Sequence, residues 1–279
     1  YGLVTVGGGI TGAGILREAV ATGASVLLVE QNDFGSGTSS WSSKLVHGGL
    51  RYLKNMQWRL TLESVRERQR LMREAPGLVE PQTFLMPVYS GIKPGKWMLR
   101  IGLWIYDFMA GSWRSRWYSS VQLLGIERDV RQEGLRGSVA YEDARTDDAR
   151  LVLRLILESV AAGGAALNYV GAEPLYGNGR VRGVKLRDCV SGATREIEAG
   201  MVVNATGAWA GGLGEGAPPL RPLRGSHLVF PAHKLPVSHA VSWLHPKDHR
   251  PIFAYPWEGA VVYGTTDLAT IIDRVKEQN

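Results

Sequence analysis

The fold is decided at the start of the chain, where residues 3–12 read Leu3-Val4-Thr5-Val6-Gly7-Gly8-Gly9-Ile10-Thr11-Gly12. The apolar and β-branched residues 3–6 predict a buried strand, and the glycines predict a tight turn into a helix over residues 10–22. A second strand is predicted from Ser25 to Glu30. Two strands joined by a helix through short connections predict the start of a parallel sheet.

The glycines Gly7, Gly9 and Gly12 have the spacing of a dinucleotide-binding turn. The first permits the tight turn, the second lets the backbone approach a pyrophosphate, and the third lets the helix pack closely on the strand. The N-terminus of the helix adds N–H donors and a positive dipole end. Glu30 is placed to accept from an adenosine ribose hydroxyl, which disfavours NADP with its 2′-phosphate. We therefore predict a dinucleotide site, with a plain glycine turn as the alternative.

The sequence after Glu30 favours FAD over NAD. A simple NAD domain continues with further βα units, whereas here a loop rich in small and hydroxyl residues follows at residues 35–43, before a long excursion. A later strand predicted at residues 201–204 leads into Ala205-Thr206-Gly207. This segment resembles one found in FAD-binding folds of the glutathione-reductase type.

Composition excludes several classes of protein. With 279 residues, of which 44% are apolar, the chain can form one large or two medium domains, and disorder is excluded. The single cysteine, Cys189, excludes a disulfide scaffold and favours a reducing compartment. Six scattered histidines show no ligand spacing, so no metal is predicted. The net charge of +6 favours anionic partners in general, and we expect no nucleic acid among them.

Further elements are predicted along the chain. A charged helix is expected from Trp58 to Glu74, and another helix, capped by Asp147 and Asp148, is expected to run to about Ala162. The longest apolar stretch, residues 97–110, is about 14 residues, whereas a bilayer span needs roughly 20, so no transmembrane helix is predicted. The chain opens without a methionine and ends without a closing element, so we expect a segment of a longer protein.

The most specific motif covers residues 38–53, which read Thr38-Ser39-Ser40-Trp41-Ser42-Ser43-Lys44-Leu45-Val46-His47-Gly48-Gly49-Leu50-Arg51-Tyr52-Leu53. This stretch resembles the segment TSS-x-SSKL-(I/V)-HGGLRYL of the FAD-dependent glycerol-3-phosphate dehydrogenases. Other matching segments follow in family order over essentially the whole chain, at residues 100–107, 147–151, 203–207, 225–227 and 264–267.

The resemblance implies a fold and an activity. The fold is α/β, with a glutathione-reductase-type (Rossmann-like) FAD-binding domain at residues 1–78 and 140–216. A mostly antiparallel β substrate domain, or cap, is expected at residues 79–139 and 217–279, truncated at its C-terminus. The implied activity is oxidation of sn-glycerol 3-phosphate to dihydroxyacetone phosphate, with hydride from C2 passing to FAD and electrons passing on to a quinone.

The resemblance also implies roles for individual residues. Arg51 matches the family arginine beside the substrate phosphate, and Tyr52 would stand next to it as a hydroxyl donor. His47 and His227 match two histidines near the flavin, and either is a candidate proton acceptor, with His227 slightly favoured on the substrate side. Ordinary structural histidines are the alternative. The residues predicted to bind FAD are Gly7, Gly9, Gly12, Glu30, Thr38, Ser39, Ser43, Ala205, Thr206 and Gly207.

The match also has a departure. After Asp267 the family continues with a second substrate arginine and a lysine-containing segment against the flavin, which this sequence lacks. We therefore expect the parent protein to be an enzyme and this segment alone not to turn over. Two rival functions stay open: a related flavoprotein that oxidises amines or hydroxyacids, and a flavin-binding module without turnover.

One helix leaves a membrane contact open. Basic residues surround an aromatic and apolar stripe, formed by Trp97, Ile101, Trp104, Ile105 and Phe108. This pattern is typical of an interfacial helix on acidic lipid, and a core helix with a charged rim is the alternative. Since bacterial members of the family are peripheral membrane proteins, the resemblance implies the cytoplasmic side, with attachment to an acidic membrane surface as an option.

Overall fold

A computed structural model describes residues 1–50, 56–214, 220, 225–245 and 250–265. The helices are α1 (Ile10–Ala21), α2 (Trp58–Glu74), α3 (Lys96–Ala110), α4 (Ser120–Ile126) and α5 (Asp148–Ala161), with short 3₁₀ turns at Thr38–Ser40 and Gly207–Gly212. The strands are β1 (Leu3–Val6), β2 (Val26–Val29), β3 (Leu45–Val46), β4 (Val79–Tyr89), β5 (Arg116–Ser119), β6 (Leu135–Thr146), β7 (Ala165–Leu167), β8 (Val170–Gly177), β9 (Arg180–Asp188), β10 (Thr194–Glu198), β11 (Met201–Asn204), β12 (Leu228–Pro231), β13 (Ala240–Leu244), β14 (Pro251–Trp257) and β15 (Ala260–Gly264).

The chain divides into two compact units at other places than the sequence predicts. The first comprises Tyr1–Lys44 with Asp147–Pro222, and the second comprises Leu45–Thr146 with Leu223–Asn279. The predicted boundaries near residues 78 and 140 fall inside the second unit. The physical reason is that α2 packs on β4 and β6, and that β6 is one continuous strand from Leu135 to Thr146.

A four-stranded parallel sheet forms the centre of the first unit, in the order β11-β1-β2-β7. Leu16 of α1 and Ile156 of α5 pack on one face of this sheet, while Val184 of the antiparallel β8–β10 sheet packs on the other. The parallel sheet predicted from the opening residues is therefore confirmed. Because parallel strands end at one edge, β1, β2 and β11 bring Gly7, Glu30 and Ala205 to the same edge of the sheet.

An eight-stranded sheet forms the second unit, in the order β12-β15-β14-β13-β4-β6-β3, with β5 paired to β6. Its pairings are antiparallel apart from the parallel pair β13–β4, which agrees with the predicted antiparallel domain. Phe84, Tyr106, Tyr141 and Tyr255 are buried in its core. The aromatic core holds β4, β6 and β14 against α3.

Helix α3 is only partly covered by this core. Leu103 and Tyr106 are buried, whereas 61% of Trp104 and 70% of Phe108 are exposed. The predicted apolar stripe is therefore mostly a surface, with Ile105 alone among its members packed against the core. Among the described residues, no helix is both long and apolar enough to cross a bilayer.

Candidate functional site

The glycine turn in the first unit has no room for side chains at two of its three glycines. A Cβ on Gly7 would lie 2.4 Å from the carbonyl oxygen of Ala205, and a Cβ on Gly12 would lie 1.9 Å from the carbonyl oxygen of Gly7. Gly7 also has a φ of 113°, which favours glycine. These two glycines therefore let β1, β11 and α1 meet closely, as the dinucleotide-binding turn requires.

The N-terminus of α1 is open for an anion. Gly9 is its N-cap and contributes no side chain, and a Cβ there would meet only the Ser39 hydroxyl, at 3.1 Å. The backbone N–H of Ile10 donates to Ser39 Oγ at 2.9 Å. The first N–H groups of a helix have no partner within it, so this end offers donors to a pyrophosphate. The structure thus brings together Gly9 and Ser39, two of the residues predicted to bind FAD.

Glu30 closes the same turn from the neighbouring strand. Its Oε2 accepts from the Gly8 N–H at 2.7 Å, and its Oε1 accepts from the Asn32 N–H at 2.9 Å. A carboxylate oxygen has two acceptor positions, so each oxygen keeps one for a ribose hydroxyl. The donor set and the glycine cradle therefore fit the adenosine and pyrophosphate parts of a dinucleotide.

The loop with Thr38, Ser39 and Ser43 is tied down by a residue that the sequence predicted only as a helix cap. Asp148, at the start of α5, accepts from the Ser42 hydroxyl and from Lys44 Nζ, both at 2.6 Å. Lys44 Nζ also donates to the Ser40 carbonyl oxygen at 2.6 Å. Asp148 therefore anchors the loop that carries the predicted cofactor residues.

The Ala205-Thr206-Gly207 segment leaves β11 beside this turn. The Ala205 N–H donates to the Val6 carbonyl oxygen at 2.8 Å, and Gly207, with a φ of 60°, begins the 3₁₀ turn that follows. The Thr206 hydroxyl donates to Asn204 Oδ1 at 2.7 Å, which shapes the end of the strand. The segment therefore lies against Gly7, so the structure brings these predicted cofactor residues together.

In the second unit, His47 is held by a buried carboxylate that the sequence analysis missed. Nδ1 of His47 lies 3.4 Å from Oδ2 of Asp143 on β6, which is 1% exposed. The ring of His47 packs on Phe253, with a centroid distance of 5.5 Å, while 42% of the side chain stays exposed. Among the described residues, Asp143 is therefore the carboxylate that orients this histidine.

His227 precedes β12 and is half-buried. Burial lowers the pKa of His227, which favours its neutral form. Its ring lies against Gly264, where a Cβ would meet His227 Cδ2 at 2.8 Å. Gly264 pairs with Phe253 across β14 and β15, so both predicted histidines lie beside this residue pair.

The remaining predicted site residues, Arg51 and Tyr52, lie outside the described residues. In the part of the chain that the structure describes, no three His, Cys, Asp or Glu side chains form a group able to hold a metal ion.

The chain matches a known protein family and curated relatives over almost its whole length. A profile of FAD-dependent oxidoreductases matches residues 3–278. The aerobic glycerol-3-phosphate dehydrogenase of Staphylococcus epidermidis is 40% identical over 277 residues, covering 96% of this chain and 50% of the relative. The enzyme of that name from Staphylococcus aureus is 41% identical over 286 residues, covering 99% and 51%.

Among solved structures, the glycerol-3-phosphate dehydrogenase of Bacillus halodurans, complexed with FAD, is similar with a TM-score of 0.75 and 35% identity. The similarity covers 95% of this chain and 47% of that chain. The chain thus spans about half the length of the curated relatives it matches.

Proposed function

The chain belongs to the family of FAD-dependent oxidoreductases, and on this basis we propose that the whole protein oxidises sn-glycerol 3-phosphate to dihydroxyacetone phosphate. The observation that carries the proposal is the motif at residues 38–53, within a chain 40% identical to an aerobic glycerol-3-phosphate dehydrogenase. Two contacts within that motif support the proposal: Ser39 Oγ accepts from the Ile10 N–H at the N-terminus of α1, and Nδ1 of His47 lies 3.4 Å from Asp143.

FAD is the cofactor of this family, and bound FAD supplies an acceptor for the hydride that leaves C2. We assign its adenosine ribose to Glu30 and its pyrophosphate to the first N–H groups of α1, over Gly9. Ser39 at the same helix end and the loop anchored by Asp148 would orient the cofactor there. A quinone is the proposed final electron acceptor.

We propose that residues of the second unit bind the substrate. We assign the substrate phosphate to Arg51, whose guanidinium fork can form two parallel hydrogen bonds, with Tyr52 as a hydroxyl donor. Oxidation of C2 also releases the proton of its hydroxyl group, and a neutral imidazole can accept it. His227, whose pKa is lowered by burial, and His47 are the two candidates.

An anaerobic spectrum tests the proposal. The whole protein is loaded with FAD, and its visible absorption is followed as sn-glycerol 3-phosphate, lactate or glycine is added. We expect only the phosphate ester to bleach the flavin. Bleaching by lactate or glycine would instead support an amine- or hydroxyacid-oxidising flavoprotein. A yellow protein that none of the three bleaches would support a binding module without turnover.

We also propose a location for the protein, in which α3 binds the acidic cytoplasmic surface of a membrane. The support is its exposed face, where Trp97, Ile101, Trp104 and Phe108 are each at least 60% exposed. Beside it lies an open groove of about 630 Å³. Its basic lining residues are Lys93, Lys96 and Arg136. Aromatic side chains next to basic ones suit the boundary between acyl chains and acidic headgroups.

A further inference from the structure

Asp143 is the centre of a buried polar cluster in the second unit. Its Oδ1 accepts from the Gly48 N–H at 2.9 Å and from the Tyr106 hydroxyl at 2.6 Å, and it forms a close ion pair with Nη1 of Arg68. Its Oδ2 faces Nδ1 of His47 at 3.4 Å. Arg68 is 2% exposed and also donates to the Tyr106 hydroxyl and to the Glu142 carbonyl oxygen.

The cluster fixes the charge of Asp143. Burial alone would raise the pKa of Asp143, but the hydrogen bond from His47 and the charge of Arg68 outweigh burial and lower it. The carboxyl group is therefore ionised at neutral pH and can only accept hydrogen bonds. Tyr106 stays a donor, because burial and the charge of Asp143 raise its pKa well above the ordinary value.

An ionised acceptor at Oδ2 decides the tautomer of His47. A neutral imidazole carries one proton, and beside Asp143 that proton belongs on Nδ1, where it can be donated. Nε2 is then left as the acceptor. Packing of the ring on Phe253 limits its rotation, while 42% of the His47 side chain is exposed.

The cluster also explains why glycine follows His47. A Cβ on Gly48 would lie 1.9 Å from the Tyr106 hydroxyl and 2.7 Å from Nη1 of Arg68. A side chain there would displace both groups from Asp143. The His47-Gly48 pair is thus built so that the backbone and the ring of adjacent residues bind one carboxylate.

We propose that Asp143 is a positioning residue that holds His47 with Nδ1–H towards itself and Nε2 as the acceptor of the C2 hydroxyl proton. This inference rests on the proposed function and assigns the proton acceptor to His47. The O–H bond of the C2 hydroxyl breaks, its proton goes to Nε2, and a C=O bond forms. The C2 hydrogen leaves with its electron pair as hydride, which is the redox chemistry that FAD supplies.

The first test is a spectroscopic one on the wild-type protein. With ¹⁵N-labelled histidine, the ring nitrogen shifts of His47 report its tautomer without any turnover. We expect the Nδ1–H tautomer in the wild type and a shift towards Nε2–H in Asp143→Asn, whose amide can donate to the ring. A wild-type His47 in the Nε2–H form would overturn the inference even if no variant folds.

The second test is kinetic and uses the whole protein loaded with FAD. Asp143→Asn is expected to lower kcat by about ten- to a hundredfold, with a smaller change in KM, because the base is misoriented. In a His47→Gln background, the same substitution is expected to change kcat by less than about twofold, since its effect is routed through the missing ring. Losses that multiply in the double variant would show that Asp143 does not act through His47.

The chain offers a matched control in Glu127. This carboxylate is 3% exposed, and its Oε1 also lies 3.4 Å from Nδ1 of a histidine, His239, while accepting from the Ser238 hydroxyl at 2.6 Å. Glu127→Gln is expected to lower Tm while leaving kcat and the His47 tautomer unchanged. A kcat loss equal to that of Asp143→Asn would mean that any buried carboxylate has this effect. If the wild type itself is not reduced by sn-glycerol 3-phosphate, the proposed function fails, while the tautomer still decides the inference.

Discussion

Single close contacts restrict which residues fit at the glycine turn between β1 and α1. A Cβ on Gly12 would lie 1.9 Å from the carbonyl oxygen of Gly7. Because this oxygen is a backbone atom, it cannot rotate away as the end of a side chain could. By contrast, a Cβ on Gly14, two residues further along α1, would meet no atom within 4 Å. The same substitution should therefore have opposite effects at these two positions.

We expect Gly12→Ala to destabilise the protein by about 1–3 kcal/mol or more, because the helix must move off the strand, and to weaken FAD binding. Gly14→Ala is the control, and it should stabilise the protein by about 0.5–1 kcal/mol through helix propensity. Urea denaturation and FAD titration measure both effects. Equal effects of the two substitutions would contradict the packing described for Gly12.

The buried charge of Asp143 predicts a dependence of stability on pH. Its pKa is lowered on folding, so the stability it contributes is present above the unfolded pKa of about 4 and is lost as the pH falls through the folded value. Asp143→Asn should cost about 3 kcal/mol at neutral pH, because Arg68 is left unpaired. Urea denaturation at each pH gives the gap in unfolding free energy between wild type and Asp143→Asn, and this gap should become smaller in acid. A gap that is constant with pH would contradict the ionised state of Asp143.

At the scale of helices and strands, the sequence predicted the elements whose apolar residues recur at regular spacing. The helix expected from Trp58 to Glu74 has those bounds, and α5 begins beside its predicted cap, with Asp147 Oδ1 accepting from the Arg150 N–H. Each of these elements is set by contacts within or next to it.

Strand β6 escaped prediction because its pattern is not alternating. It is buried at most positions and yet carries Ser138, Asp143 and Thr146 at buried positions. The charge of Asp143 is stable there because of a partner distant in sequence, Arg68. The sequence could therefore indicate His47 through its motif but not the carboxylate behind it.

The spacing of apolar residues along α3 predicted an apolar stripe. The sequence could not decide whether this stripe packs in the core or faces solvent. The structure exposes it, so Phe108→Glu should lower binding to vesicles of phosphatidylcholine and phosphatidylglycerol at least about tenfold, through loss of one buried aromatic side chain. Val190→Glu, at an 83% exposed position in the other unit, is the control and should have little effect. Binding should weaken with added salt and be absent on phosphatidylcholine alone. Equal binding by wild type and Phe108→Glu would contradict the proposed membrane contact.

At the scale of the whole molecule, the division into two units depends on packing that no local pattern shows. The sequence placed the first boundary after α2, but α2 packs with α3, β4 and β6 in the second unit. The glycine turn between β1 and α1, in contrast, could be predicted from the sequence. Gly7, Gly12 and Glu30 act through backbone geometry and hydrogen bonds that recur wherever a strand turns into a helix over a dinucleotide.

The central claim is that the whole protein converts sn-glycerol 3-phosphate to dihydroxyacetone phosphate, and its product tests this most directly. FAD-loaded protein is titrated anaerobically with the substrate, and both the reduced flavin and the dihydroxyacetone phosphate are quantified. We predict one equivalent of product for each equivalent of flavin bleached, because one hydride leaves each C2. A flavin that stays oxidised in excess substrate, or bleaching without dihydroxyacetone phosphate, would contradict the account.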